Sequence, residues 1–425
     1  MNNKEKSAMR EDKNGPGLVP RLRFPEFLNA GQWSAPTLAD ISTPVEERVG
    51  DRTLTPVSIS AGIGFVPQAE KFGRDISGNQ YRMYTVVRDG DFVYNKGNSL
   101  KFPQGCVYDL QGWGEAAAPN VFICFRPKAG YENSFLRQCF EQNIHGIQLK
   151  KKITSGARSN GLLNISKEAF LGIKIPTPSQ AEQRHIGECL SSLDNTIAGE
   201  VKKLEALRLH KDGLMQRLFP STERSIPELR FPEFDDGSAW PKVPAGDVFT
   251  NRIERGRSDL PIYSVTMTDG MVPRASLDRK IEDTAVAGVN KTARAGDIAY
   301  NMMRMWQGAL GVAPENCMVS PAYIVLEPQG INPFFYFYLL KKPQLLHILT
   351  AHSRGLTEDR LRLYYDDFAK IKLPCPPLAE QNRIADCLLS VDQLITAQIK
   401  RVNAIKTQKK GLMQRLFPDL SRVGV

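Results

Sequence analysis

The stretch SQAEQRHIGECLSSLDNTIAGEVKKLEALRLHKDGLMQRLFP (179–220) decides the fold, because the chain carries it twice. The second copy, PLAEQNRIADCLLSVDQLITAQIKRVNAIKTQKKGLMQRLFP (377–418), follows 198 residues later without a gap and with about half its positions identical. Apolar residues recur at Ile186, Leu190, Leu193, Ile197, Leu204, Leu207 and Leu214, and again at Ile384, Leu388, Val391, Ile395, Val402, Ile405 and Leu412. Steps of four and three make a heptad stripe, which Glu200 and Gln398 interrupt. Ser179 with Glu182 three residues on has capping-box spacing, and Pro220 and Pro418 close the two segments. The pattern predicts two helices of about 35 to 40 residues, each roughly 55 Å long.

Working outward, more of the chain is written twice. LRFPEF at 22–27 returns at 229–234, Trp33 returns as Trp240, and GDFVYN at 90–95 returns as GDIAYN at 296–301. IKIP at 173–176 returns as IKLP at 371–374. Between these signposts, roughly 40–170 and 247–370, the halves have diverged; PVSISAGIGFVP (56–67) against PIYSVTMTDGMVP (261–273) is one faint match. The period is far too long for a solenoid, whose repeats run about 20 to 50 residues. This is a duplicated module of variable domain and constant helix, one frame for two differently specific heads.

A narrow heptad stripe seeks a partner helix. Two copies in one chain make mutual antiparallel pairing the economical answer; the alternative is that each helix packs on its own domain. The division is a tail (1–20), a first domain (21–178), a first helix (179–220), a linker and second domain (221–376), and a second helix with its tail (377–425). The domains read as mixed α/β. Strand-like runs are Tyr84–Val87, Asp91–Tyr94, Asn120–Phe125 and Ala322–Leu326, with helical stretches at Asn133–Gln142 and Pro333–Leu349. The expected architecture is two globular α/β domains joined by two long helices in an antiparallel coiled coil, with an internal pseudo-two-fold repeat. Its seam is Ile186, Leu190, Leu193, Ile197 and Leu204 against Ile384, Leu388, Val391, Ile395 and Val402.

Composition narrows the function. The 425 residues are 41% hydrophobic and 24% charged, enough to build two or three cores. No run approaches the roughly 18 apolar residues of a membrane span, the polar N-terminus carries no signal-peptide core, and the seven scattered cysteines form no CxxC pair. A cytoplasmic, reduced protein is expected. The net charge of +10 permits a polyanionic partner without demanding one.

Basic, amide and aromatic residues gather on the predicted loops of both domains. The candidates for nucleic-acid contact are Arg82, Tyr94, Asn95, Lys96, Asn98, Lys101 and Arg158 in the first, and Arg274, Asn301, Arg304, Arg354, Arg360 in the second; Arg255, Arg362 and Lys150 lie on the same loops. Arg and Asn read guanine and adenine edges through paired hydrogen bonds, whereas Lys mostly holds phosphate.

Catalytic patterns are missing from the sequence. There is no HExxH, no GxxxxGK[ST] and no GxSxG, and the five histidines have no companion ligands at metal spacing. Asn332-Pro333-Phe334-Phe335 approaches the [DN]-P-P-[FY] string of amino-methyltransferases, but lacks the second proline and any preceding strand–GxGxG–helix.

The duplicated plan, the LRFPEF openings, the GDFVYN/GDIAYN and IKIP/IKLP signposts and the AEQ-to-RLFP segments together resemble the specificity subunits of type I restriction-modification systems. The resemblance runs from about residue 20 to 420. It implies two target-recognition domains, each reading one half of a split site in double-stranded DNA. It also implies constant helices that space them and dock methyltransferase (M) subunits, through which restriction (R) subunits join. The subunit would be non-catalytic, with no cofactor of its own; S-adenosylmethionine, ATP and magnesium would belong to its partners. A rigid spacer fixes the unread gap between half-sites, which lie about one helical turn, roughly 34 to 36 Å, apart when read from one face. The rival readings are a stand-alone adenine methyltransferase built on Asn332–Phe335 and a coiled-coil scaffold whose heads bind proteins.

Overall fold

The computed structural model describes residues 18–97, 102–150, 163–221, 224–277, 288–357 and 360–419. The chain divides into two compact units. One holds the residues up to Val201 together with those from Arg401 onward; the other is Lys202–Lys400. Each long helix therefore contributes one half to each unit.

In the first unit a four-stranded antiparallel sheet runs Ser42–Pro44, Ile123–Pro127, Phe92–Asn95, Cys106–Asp109 in spatial order. Phe92 lies opposite both Phe125 and Asp109. Two ribbons flank it, Val57–Ser60 with Gly64–Pro67 and Thr85–Arg88 with Glu115–Ala118. The second unit repeats the order with Phe249–Asn251, Tyr323–Pro328, Ile298–Asn301 and Leu310–Val312, and its ribbons are Tyr263–Val265 with Met271–Pro273 and Lys291–Ala293 with Cys317–Val319. The diverged stretches of sequence thus keep one topology.

The sheets form because their inward positions are large and apolar. Tyr94 stacks on Phe170 at 4.2 Å and Phe92 on Phe125 at 5.4 Å, all four wholly buried. Phe249, Tyr300 and Phe368 make the matching cluster in the second unit. The Asn120–Phe125 run becomes strand only from Ile123, after a turn that Phe122 closes on Pro119. The 333–349 stretch is two helices, Pro333–Leu340 and Pro343–Ala351, rather than one. Pro343 has no N–H to continue the first and instead opens the second.

The long helices are Gln180–Arg217 and Leu378–Leu416. In the first unit Asp194 pairs with Lys409 and Glu200 with Arg401, so residue numbers rise on one helix and fall on the other. In the second, Lys211 pairs with Asp392, the same two heptad positions with the helices exchanged. The helices are therefore antiparallel within each unit. Leu204, Val391 and Val402 are buried, and Leu193, Ile197 and Ile395 half-buried. Four stripe residues do more than line a helix seam. Ile186 and Leu190 enter the core of the first head beside Met413, Leu416 and Phe417, while Ile384 and Leu388 enter that of the second beside Leu218 and Phe219. Both expected packings coexist, because each helix starts on its own head and goes on as a seam.

The repeated LRFPEF segment is what fastens helices to heads. Leu22 N–H donates to the Arg415 carbonyl and Leu229 N–H to the Arg217 carbonyl, each taking up a free acceptor at a helix C-terminus. The next residue grips the start of the other helix. Arg23 forks onto Glu182 (2.9 and 2.9 Å) and Arg230 onto Glu380 (2.9 and 2.8 Å), with all four side chains buried. Ser179 Oγ accepts the Glu182 N–H as a cap should, but the Glu182 carboxylate goes to Arg23 instead of closing the capping box.

Candidate nucleic-acid interface

In both heads the GDxxYN strand is bounded by the same two turns. Gly90 and Gly296 take positive φ (94° and 90°) in the turn before it. The aspartate that follows is buried and accepts the N–H of the residue three before it, Arg88 or Arg294, at 2.8 Å. Arg126 forks onto Asp91 and Arg252 onto Asp297, which compensates each buried carboxylate. At the strand's end the side chains of Asn95 and Asn301 accept the N–H two residues on, from Gly97 and Met303, turning the chain outward.

A second segment, remote in sequence, meets that loop. Leu163 N–H donates to the Lys96 carbonyl and Leu363 N–H to the Met302 carbonyl, both at 2.9 Å. In the second head this brings the 302–307 turn against Leu363 and the residues paired before it, where Arg354 and Arg362 exchange both backbone hydrogen bonds at 2.9 Å. Arg304, Arg360 and Arg362 are exposed there, with no side-chain partner among the described residues. Arg354 is held on Asp367 (2.6 and 2.9 Å) and beside the Tyr364 ring. That pairing raises the guanidinium and depresses the carboxylate relative to their ordinary pKa values. Exposed Met303, Leu356 and Tyr364 lie among these arginines.

The sequence candidates therefore sort into groups. Arg304, Arg354 and Arg360 converge on one edge of the second head. In the first head Lys96 takes the equivalent place, with its Nζ 3.5 Å from the Ile165 carbonyl, and Asn98, Lys101 and Arg158 lie outside the described residues. Arg82 sits in the Gly78–Met83 turn paired with Asp51 at 2.8 Å, and Arg274 is half-buried, its Nε 3.4 Å from Ser264 Oγ. Tyr94 is a correction: it has no exposed surface, and its hydroxyl donates to the Gln104 carbonyl within the core. Asn95 and Asn301 are loop-shaping residues, their side-chain oxygens taken by backbone. Leu356 was not anticipated, since a lone leucine in a loop carries no sequence signal.

The Asn332–Phe335 string is a helix cap. The Asn332 side chain accepts from Phe334 N–H and Phe335 N–H (2.9 and 3.1 Å) and donates to Asn382, while Phe335 is buried in the core. Among the described residues no three His, Cys, Asp or Glu side chains gather as a metal site, and no helix is long and apolar enough to cross a membrane. A cavity of about 940 Å³ lies between the helices and head of the second unit, lined by Met215, Phe337, Tyr338, Ile395 and Ile399 among others. It shares no residue with the convergent loops.

Comparison with known proteins gives this arrangement a family. The model of the type I restriction modification DNA specificity domain matches residues 109–209 and 245–407. The type I restriction enzyme MjaVIII specificity subunit of Methanocaldococcus jannaschii is 26% identical over 341 residues, covering 73% of this chain and 78% of that protein. The putative MjaX specificity subunit of the same organism is 28% identical over 303 residues, covering 68% and 67%. Among solved structures, the S subunit of the M. genitalium type I restriction-modification system matches 94% of this chain and 99% of its own at a TM-score of 0.59 and 14% identity, a likeness of fold. With the family model spanning more than half its length on two copies of one clamped frame, the chain belongs to the type I restriction modification DNA specificity family.

Proposed function

We propose that the chain is the sequence-specific DNA-recognition subunit of a type I restriction-modification complex, with each head reading one half of a split target. The observation that carries this reading is the duplicated loop pair. The same two remote segments meet in both heads through the same hydrogen bond, on bases built from the same Gly-Asp and Asn turns. The side chains these segments carry differ between the heads, which is what one frame with two specificities requires.

In this reading the subunit does no chemistry. Methyltransferase subunits dock on the long helices and restriction subunits join through them, bringing S-adenosylmethionine, ATP and magnesium. Against a methyltransferase activity of the chain's own stands the capping role of Asn332. Against a protein-binding scaffold stands the arginine-rich edge, whose side chains suit phosphate and guanine. The test is a genome-wide map of N6-methyladenine in the host with and without the gene. Loss of methylation at one bipartite motif, with co-purification of a methyltransferase subunit, is expected. An unchanged map in a host where that subunit co-purifies would overturn the proposal.

A further inference from the structure

The turn that leaves the GDIAYN strand of the second head, NMMRMWQGA (301–309), is described at every position and holds no carboxylate; Arg304 is its one charge. Its backbone closes on itself. Asn301 N–H donates to the Ala309 carbonyl, Ala309 N–H to the Arg304 carbonyl and Gly308 N–H to the Met305 carbonyl, at 2.8 to 3.2 Å. The Asn301 side chain accepts the Met303 N–H at 3.0 Å, and Trp306 Nε1 donates to the Met303 carbonyl at 3.2 Å. Met305 anchors the turn in the core of the head, and Gly308 takes the positive φ (81°) that brings the chain back. Two polar side chains stand outside this closure. Arg304 and Gln307 are exposed, and neither reaches a partner among the described residues. Arg252, Arg257 and Arg294 of the same head are by contrast all engaged by carboxylates. Met305–Gln307 form one 3-10 turn that Arg304 opens. Side chains three apart in such a turn eclipse, so Arg304 and Gln307 leave on one side, about 6 Å apart along the axis.

The major groove, about 12 Å wide, admits an α-helix, and a 3-10 turn is tighter still. There guanine offers O6 and N7 to an arginine fork, and adenine offers N6 and N7 to the amide of a glutamine. We propose that the 303–307 turn reads bases of the second half-site, Arg304 taking a guanine and Gln307 an adenine. With base pairs about 3.4 Å apart, the roughly 6 Å between the two side chains places those bases within two steps of each other. The closed backbone aims both side chains before DNA arrives, so little freedom is lost on binding. After its own GDFVYN the first head carries KGNSLKFPQG instead, so this pair of bases belongs to one half-site only. The proposal rests on the DNA-reading function above and adds which turn reads, which bases it reads and how they are spaced.

The experiment uses the full chain, co-purified with its methyltransferase partner, on duplexes carrying the mapped target. Single guanines and adenines are replaced by 7-deazaguanine and 7-deazaadenine, which lack N7. For the wild type, one position of each kind, no more than two base pairs apart in one half-site, should weaken binding by about fivefold or more, the low end of what a bidentate pair discriminates. Arg304→Ala should bind guanine and its analogue equally at the first position, and Gln307→Ala adenine and its analogue equally at the second. Gln307→Glu should turn the preference at that position from adenine to cytosine, whose N4 donates to a carboxylate. A misfolded chain cannot produce that exchange. Responses in the other half-site should stay as in the wild type. If the alanine variants keep the wild-type response to every analogue, lose affinity equally for all sequences, or if Gln307→Glu still prefers adenine, the turn does not read these bases and the proposal is overturned. If the wild type itself does not prefer the mapped target to a scrambled duplex, the DNA-reading function has failed, and this proposal with it.

Discussion

Replacing Arg23 by Met tests whether the LRFPEF clamp is the joint that holds helix to head. The substitution keeps most of the apolar stem and removes the guanidinium. What remains is Glu182, 1% exposed, with no other side-chain donor among the described residues. Breaking one side of a buried ion pair costs about 3–5 kcal/mol, because the surviving charge stays desolvated. Arg230→Met should cost less, since Trp240 Nε1 still donates to Glu380 at 3.2 Å, whereas buried Trp33 Nε1 reaches no acceptor. A hydrogen bond to a charged group is worth about 1.5–3 kcal/mol, so the second clamp should lose on the order of 1–2 kcal/mol less than the first. Hydrogen exchange read peptide by peptide separates the two units. Arg23→Met should speed exchange in the first unit by roughly 150- to 5000-fold, the equivalent of that cost, and leave the second near wild type. Glu182→Gln in the same chain should recover most of the loss. An effect below tenfold, or a larger one from Arg230→Met, would refute the reasoning.

Further expectations follow from single contacts. Burial holds the His145 imidazole, which shares a hydrogen bond with the Gly105 carbonyl, down at about 4 against an ordinary 6.5. The unfolded chain therefore takes up a proton first. That stability is complete above pH 6.5 and falls toward pH 4 by about 3 kcal/mol, and His145→Gln should flatten the pH dependence of first-unit exchange. Lys409→Met should cost only about 1–2 kcal/mol in the same assay, because Asp194 keeps Gln138 as a donor and is partly exposed. Arg304→Ala should relax one half-site of the methylation map; an equal loss across all sequences would make it a phosphate contact. Deleting one heptad from each long helix should change the length of the unread gap in that map and not the bases beside it, and an unchanged gap would count against the spacer.

The helices were legible because a heptad stripe encodes burial directly, and duplication made it visible twice. The strands were legible where apolar runs end at Gly-Asp turns. The roles of the repeated motifs were not, because their partners are remote in sequence. Arg23 meets Glu182 across 159 residues, and nothing local distinguishes a clamp arginine from one that reads DNA. Tyr94 and Asn95 misled for the same reason. An aromatic and an amide next to a lysine look like a reading loop, yet the pleat turns Tyr94 inward and an i+2 backbone bond takes up the amide oxygen. For the candidate interface the residue types were legible and their convergence was not, since it rests on bonds between segments remote in sequence, Leu363 N–H to the Met302 carbonyl and the Tyr300 hydroxyl to the Leu363 carbonyl.

The constant helices also explain how the heads could diverge without loosening the frame. Asp194 with Lys409, and Asp392 with Lys211, are neutral pairs supplied entirely by repeated residues. The head helix adds a different neighbour in each unit. Glu141 accepts a second hydrogen bond from Lys409, and Gln138 donates to Asp194. At the matching positions of the second unit stand Lys341 and Tyr338; Tyr338 donates to Asp392 at 2.6 Å. Lys341 turns away to the Met267 carbonyl and the Phe337 ring, and burial together with the Lys211 charge lowers its pKa. A head can therefore present a carboxylate, an amide or a phenol to the same node, because the pair beneath is already compensated. Had the helices supplied a lone charge, each new head would have needed a matching countercharge at that position, and the reading loops could not have varied independently of the frame that carries them.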